Sequence, residues 1–182
     1  MCYNMCRISY EGGNKYMPFP LFPRWIQPSL TDLTPQMLQA QGIRLLMLDF
    51  DNTIVPYTTN IPTPEMEAWL KEMQGTDIQI CVVSNSKRDR VRVFCSRWGI
   101  DCITRAKKPF GRGICKCMEK YSLAPQACAL AGDQIFTDTL GANLAGAMSI
   151  LVKPINNHNI WLKLRHIAEK PFIFMAKRRM KR

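Results

Sequence analysis

Histidine is nearly missing from this chain of 182 residues: there are two, and acids are also few, 14 Asp and Glu against 25 Lys and Arg. His158 and His166 are not spaced as a metal pair, so a histidine-ligated metal centre has nothing to build on. Eight cysteines are present, but no C-x-x-C pair or zinc spacing occurs among them. They lie mostly in apolar runs and read as reduced core residues. No run approaches the roughly 20 apolar residues of a membrane span. Met1 to Gly13 lacks the apolar stretch of a secretory leader, so the expectation is a cytoplasmic protein. Walker and dinucleotide fingerprints are absent, and Gly111-Arg112-Gly113 is too short for a phosphate loop. There is no internal repeat and no low-complexity tract. With 47% hydrophobic residues, a chain of this length can bury one full core without disulfide or metal staples.

What the sequence does have is Asp49-Phe50-Asp51-Asn52-Thr53, directly after the apolar run Ile43 to Leu48. The run reads as a buried strand of a parallel sheet. In open α/β sheets ligands bind at the carboxyl ends of strands. Residues i and i+2 of an extended chain share one side, so Asp49 and Asp51 can approach one cation or phosphate. The same pentapeptide is equally a turn, since Asp and Asn favour turns.

Three further stations follow predicted strands. Ile78 to Val83 ends in Ser84-Asn85-Ser86, whose hydroxyl and amide groups could meet phosphate oxygens or cap a helix. Lys107-Lys108-Pro109 puts a lysine just before a proline suited to a first helical turn. After Ala127 to Ala131 comes Gly132-Asp133, with Asp138 five residues beyond Asp133. Helices are expected at Pro64 to Gln74, Ser86 to Gly99, Phe110 to Tyr121 and Thr137 to Ala147, with strands at Ile100 to Thr104 and Ser149 to Val152. Thr34-Pro35 opens a short helix through Gln41, and Pro18 to Pro28 reads as a proline-spaced arm. Thr53 to Pro64, rich in Thr and Pro, reads as an irregular flap. The alternation predicts an α/β protein with a central parallel sheet between helical layers.

The order Asp-x-Asp-x-Thr, Ser-Asn, Lys-Pro, Gly-Asp-x-x-x-x-Asp resembles the haloacid dehalogenase-like superfamily of phosphohydrolases. The wording "DFDNTIVPY", "VVSNS", "AKKPFGRG" and "AGDQIFTDTLGANLAG" is similar to the YqeG branch of its subfamily IIIA, related to mitochondrial phosphatidylglycerophosphate phosphatases. The resemblance implies a Rossmannoid three-layer fold and a magnesium-dependent phosphomonoesterase. Asp49 would be the nucleophile that forms an aspartyl-phosphate, and Asp51 the general acid and base. Thr53, Ser84, Asn85 and Lys108 would hold the phosphoryl oxygens, with Lys107 the weaker candidate for the lysine role. Mg2+ would sit on Asp49, the Asp51 carbonyl and Asp133, while Asp138 holds a metal-bound water or orients Lys108. Only one helix fits in each interval between Asp51, Ser84 and Lys108, so the fold is expected to be capless and the substrate bulky or surface-borne.

The formal net charge of +11 gathers in two places. One is the predicted mouth, from Lys87 to Arg112; the other is the tail, from Lys163 to Arg182. Basic residues beside Trp161, Phe172 and Phe174 suit an anionic membrane surface, while a core-packing helix with a solvated terminus fits equally. The expectation is one domain over 1–182, with an N-terminal arm (1–30) and a basic segment (157–182) that makes the protein peripheral at the membrane. Its partner would be a phosphorylated substrate, an anionic lipid by resemblance. Nucleic acid would also be drawn to such charge, but no recognised module accompanies it. Two alternatives stand beside this reading. An RNA- or ribosome-binding protein with a vestigial site is disfavoured because every catalytic carboxylate is present. A phosphatase of soluble sugar or nucleotide phosphates is disfavoured by the missing cap.

Overall fold

A computed structural model describes residues 20–87, 89–110, 112–156 and 171–175. Both histidines, most of the basic tail and the first part of the arm therefore lie outside the described residues. Six parallel strands form one sheet in the order β1-β6-β5-β2-β3-β4. They are β1 (Trp25–Gln27), β2 (Leu45–Leu48), β3 (Gln79–Val83), β4 (Asp101–Ile103), β5 (Cys128–Gly132) and β6 (Met148–Val152).

Alternate residues of the central strands serve two cores, as a sheet covered on both faces requires. Leu46, Leu48, Ile80, Val82, Ala129 and Ala131 belong to one core. On that face lie α2 (Pro64–Gln74) and α3 (Arg90–Trp98). Leu45, Met47, Cys81, Val83, Cys128 and Leu130 belong to the other, with α4 (Arg112–Lys120) and α5 (Leu140–Leu144). Short helix α1 (Pro35–Ala40) precedes β2.

Local chemistry sets the helix starts. Thr34 and Thr63 each accept an N–H of the first turn and are each followed by Pro at the first helical position, where no N–H is needed. In α2 the buried residues Met66, Trp69, Leu70 and Met73 repeat at helical spacing, and Trp69 Nε1 donates to the Leu33 carbonyl at 2.7 Å. Gly99 ends α3 with φ +63°, the left-handed C-cap that glycine adopts freely.

The proline-spaced arm contributes an edge strand, β1. Trp25 pairs with Ile150, and the Arg24 N–H reaches the Ser149 carbonyl at 3.1 Å. Three residues between prolines are too short to show a strand period, which is why the pairing was invisible in the pattern. α3 begins at Arg90 rather than Ser86, because residues 84–86 bond elsewhere: the Ser86 N–H donates to Ser84 Oγ, and its carbonyl accepts from Arg105 N–H. The helix expected over Thr137 to Ala147 is a π-turn, Ile135–Thr139, followed by the brief α5. Cysteines 81, 95, 102, 117 and 128 are free thiols, but Cys115 is disulfide-bonded, against the expectation of uniformly reduced cysteines.

β3 and β4 lie on one side of β2, and β5, β6 and the earlier strand β1 lie on the other. The switch point lies between β2 and β5, and the carboxyl ends of strands at such a point are where open α/β sheets bind ligands. Asp49 follows β2 and Asp133 follows β5, one on each side of it. A single helix occupies each interval from β2 to β3 and from β3 to β4, so no cap domain is inserted there among the described residues.

Candidate active site

Asp49 leaves β2 with its N–H bonded to the Ala131 carbonyl at 2.9 Å, so the β5 ladder fixes its backbone. Its carboxylate is buried and accepts a bond from Lys108 Nζ at 2.7 Å. The same Nζ stands 2.7 Å from Asp138 Oδ1, and Asp49, Asp133 and Asp138 each place a carboxylate oxygen within 4.8 Å of the others. Burial favours a neutral Lys108 amine, but Asp138 and Asp49 outweigh it and hold the pKa above the ordinary lysine value. Burial also raises Asp138, opposed by Lys108 and aided by Asp49, and the net effect pushes it up to about 6.

Three carboxylates face one ammonium here, which leaves an excess of negative charge. A hard divalent cation with oxygen ligands offsets such an excess, so the donor set fits magnesium. The π-turn explains how Asp138 arrives: its N–H and that of Thr139 both bond the Gln134 carbonyl, and Asp138 Oδ2 accepts the Gln134 N–H at 3.1 Å. π-turns often mark functional positions. Gly132 makes room for this, because a Cβ there would stand 2.4 Å from Asp138 Cγ.

The turn reading of Asp49 to Thr53 is realised in the backbone, with Asp49 at the strand end beside it. Asn52 sits at φ +63°, donates its N–H to the Val55 carbonyl and accepts the Tyr57 N–H on Oδ1. Thr53 is 1% exposed, and its Oγ1 has no hydrogen-bond partner among the described residues. A buried hydroxyl in that state can serve an incoming oxygen.

Ser84 is buried at the end of β3, and its Oγ accepts the Ser86 N–H at 3.1 Å. Asn85 points its amide at Lys108: Nδ2 donates to the Lys108 carbonyl at 2.9 Å, and Oδ1 accepts the Lys108 N–H at 2.7 Å. This two-bond clamp fixes the lysine backbone. Lys107, by contrast, is exposed while Lys108 is buried.

Sequence reasoning missed the role of Arg90, read there only as part of a basic ring. Arg90 Nη2 meets Asp51 Oδ1 at 2.6 Å, and Nη1 donates to the Tyr57 carbonyl at 2.8 Å. Its guanidinium also lies 5.1 Å from the Phe50 ring centre and 5.8 Å from that of Tyr57. The available signal was its position in the first turn of the helix after Ser84-Asn85, which faces the strand ends.

Acids from two strand ends at the switch point of a parallel sheet, with Lys108 held between Asp49 and Asp138 and no cap inserted after β2 or β3 among the described residues, define a phosphatase of the haloacid dehalogenase-like class. Residues 16–155 match the family model described as mitochondrial PGP phosphatase, and the chain belongs to that family. The protein described as "Probable phosphatase YqeG" of Bacillus subtilis (strain 168) is 34% identical over 123 residues, covering 68% of this chain and 72% of that one. Two solved structures share the fold at TM-score 0.52. One is a hypothetical protein of Xanthomonas campestris, 14% identical, covering 75% of this chain and 77% of that one. The other is an uncharacterized protein of Listeria monocytogenes serotype 4b, 13% identical, covering 65% and 84%.

Proposed function

We propose that the whole chain works as one magnesium-dependent phosphomonoesterase, that its reaction passes through a phosphoryl group carried on Asp49, and that phosphatidylglycerophosphate is the substrate. The observation that carries the reaction is the buried Lys108, held between Asp49 and Asp138 at the carboxyl ends of the central strands. The substrate rests on family membership and on the open mouth.

An Asp49 carboxylate oxygen attacks phosphorus, and the bond from phosphorus to the ester oxygen breaks. Asp51 gives the departing alkoxide a proton. Water then attacks the phosphorus on Asp49, Asp51 takes a proton from it, and phosphate leaves with the Asp49 carboxylate restored. Lys108, Ser84 and the Thr53 hydroxyl meet the transferred oxygens, while Asn85 supports Lys108 from behind. Magnesium, when bound by Asp49, Asp133 and the Asp51 carbonyl, offsets the repulsion between these carboxylates and a phosphate dianion. Asp138 orients Lys108. The basic segment 157–182 is proposed to attract the protein to an anionic bilayer, each cation near the surface contributing about 1 kcal/mol.

Asp49→Asn tests the core of this reading. The amide is nearly isosteric and a poor nucleophile, so phosphate release from phosphatidylglycerophosphate should fall to background while thermal melting stays within a few degrees. A folded variant with near wild-type turnover removes Asp49 from the mechanism. A parallel panel of sugar, nucleotide and polynucleotide monoesters decides the substrate class: preference for any of them overturns the lipid assignment and leaves the phosphatase intact.

A further inference from the structure

Phe110 and Ile61 are 83% and 69% exposed, the two most exposed large apolar side chains among the described residues. Single exposed apolar residues are ordinary. These two, however, stand on the loops after β4 and β2, at the sheet edge that carries the catalytic carboxylates. Four exposed cations stand at the same ends of the strands: Lys87 on the loop after β3, Arg105 and Lys107 on the loop after β4, and Arg112 as the first residue of α4. Asp89 is an exposed acid in the same neighbourhood, and residues 104–112 contain no acid at all.

The loops are bonded to one another rather than slack. Ala106 N–H reaches the Ser84 carbonyl, Arg105 N–H reaches the Ser86 carbonyl, and Arg90 ties the Tyr57 carbonyl to α3. Arg105 and Lys107 sit at φ +54° and +57°, a backbone region that residues with a Cβ seldom occupy. Along this stretch exposure alternates: Arg105 and Lys107 face out, whereas Ala106 and Lys108 are buried. The loop thus turns one lysine into the site and presents two cations outside it.

We propose that this mouth is a docking face for an anionic lipid bilayer, with Phe110 and Ile61 entering the headgroup layer and the four cations meeting lipid phosphates. The inference rests on the lipid substrate reading and deepens it. Charge complementarity selects the occupant, and the reach is suitable. Phe110 lies two residues from Lys108, at most about 7 Å of chain, and interfacial side chains penetrate about 5–10 Å. Seating Phe110 at the acyl boundary therefore brings the phosphate level of the bilayer to Lys108 and Asp49. No cap obstructs that approach among the described residues.

The test uses the full chain with phosphatidylcholine vesicles, with and without phosphatidylglycerol, in co-sedimentation. Turnover is followed in parallel on p-nitrophenyl phosphate in solution and on phosphatidylglycerophosphate in the vesicles. The pair Ile61→Ser and Phe110→Ser should weaken binding to anionic vesicles about ten-fold or more, from the apolar surface left in water, and leave the soluble turnover within about two-fold. The pair Lys87→Gln and Arg105→Gln should weaken the same binding and flatten its salt dependence. Unchanged vesicle binding in both pairs overturns the proposal, as does an equal loss of soluble turnover. Salt-sensitive RNA binding that both pairs abolish, without vesicle binding, also overturns it. Rim-dependent docking without hydrolysis of the vesicle lipid sinks the substrate reading alone. Hydrolysis of that lipid unaffected by the rim variants sinks the docking face alone.

Discussion

At the scale of single residues the site is organised by two cations doing different work. Lys108 is buried between two carboxylates, and its charge survives because both neighbours are anionic. Arg90 is partly buried and forks, one nitrogen on Asp51 and another on the Tyr57 carbonyl, so it fixes the proposed acid and the start of the flap together. A lysine could not make both bonds in that geometry. If Arg90 aims Asp51 at the departing oxygen, Arg90→Met should cost most where the leaving group needs a proton most. We expect turnover of an alkyl phosphate to fall about 10- to 100-fold, a partial loss of the roughly 100- to 10,000-fold that a positioned general acid supplies, since Asp51 itself remains. Turnover of p-nitrophenyl phosphate, whose phenolate leaves unaided, should fall much less. Equal losses on both substrates would detach Arg90 from proton transfer and leave it a structural brace.

At the scale of elements, the contacts that matter are those by which one loop holds another. The 104–109 segment is gripped from two sides: Asn85 clamps Lys108, and α4 presses its second residue, Gly113, onto Ala106. A Cβ on Gly113 would stand 2.4 Å from the Ala106 Cβ and 2.7 Å from its carbonyl oxygen, a clash with backbone that no rotamer relieves. Gly113→Ala should therefore destabilise by about 1–3 kcal/mol, lowering the melting temperature by roughly 3–10 °C, and should lower activity by shifting Lys108. A melting point within a degree of wild type would mean the loop yields freely. This grip also explains what was legible beforehand. The apolar runs of β2, β3 and β5 and the 3.6 spacing in α2 announced themselves, because burial of a whole strand or face leaves a pattern. Strand β1 and the late start of α3 did not, because they depend on pairing with Ser149 and Arg105, far away in sequence. The π-turn was likewise hidden, since its two bonds to the Gln134 carbonyl leave no mark on the apolar pattern. Asp49, Asp133, Asp138 and Lys108 could be picked out as residues, but Arg90 bonding Asp51 across 39 positions could not.

At the scale of the whole molecule, the cluster of acids couples the site to folding. Bringing Asp49, Asp133 and Asp138 within 4.8 Å of one another at the mouth of a parallel sheet costs free energy that Lys108 only partly offsets. The unfolded chain keeps these carboxylates apart and binds a cation weakly. A ligand that prefers the folded state stabilises it by mass action, about 2.7 kcal/mol at a hundred times its dissociation constant. For a chain of this size that corresponds to a rise of roughly 5–10 °C in melting temperature. We therefore expect magnesium to raise the melting point of the chelator-treated protein by that amount, without any substrate present. Asp133→Asn should abolish most of the shift, because it removes a ligand and part of the repulsion together. The same variant should melt at or above the wild-type temperature in the absence of metal. The two effects have opposite signs, so a general loss of fold cannot imitate them. A wild-type melting point indifferent to magnesium would dissociate the acidic cluster from metal binding and leave Lys108 as its principal counter-charge.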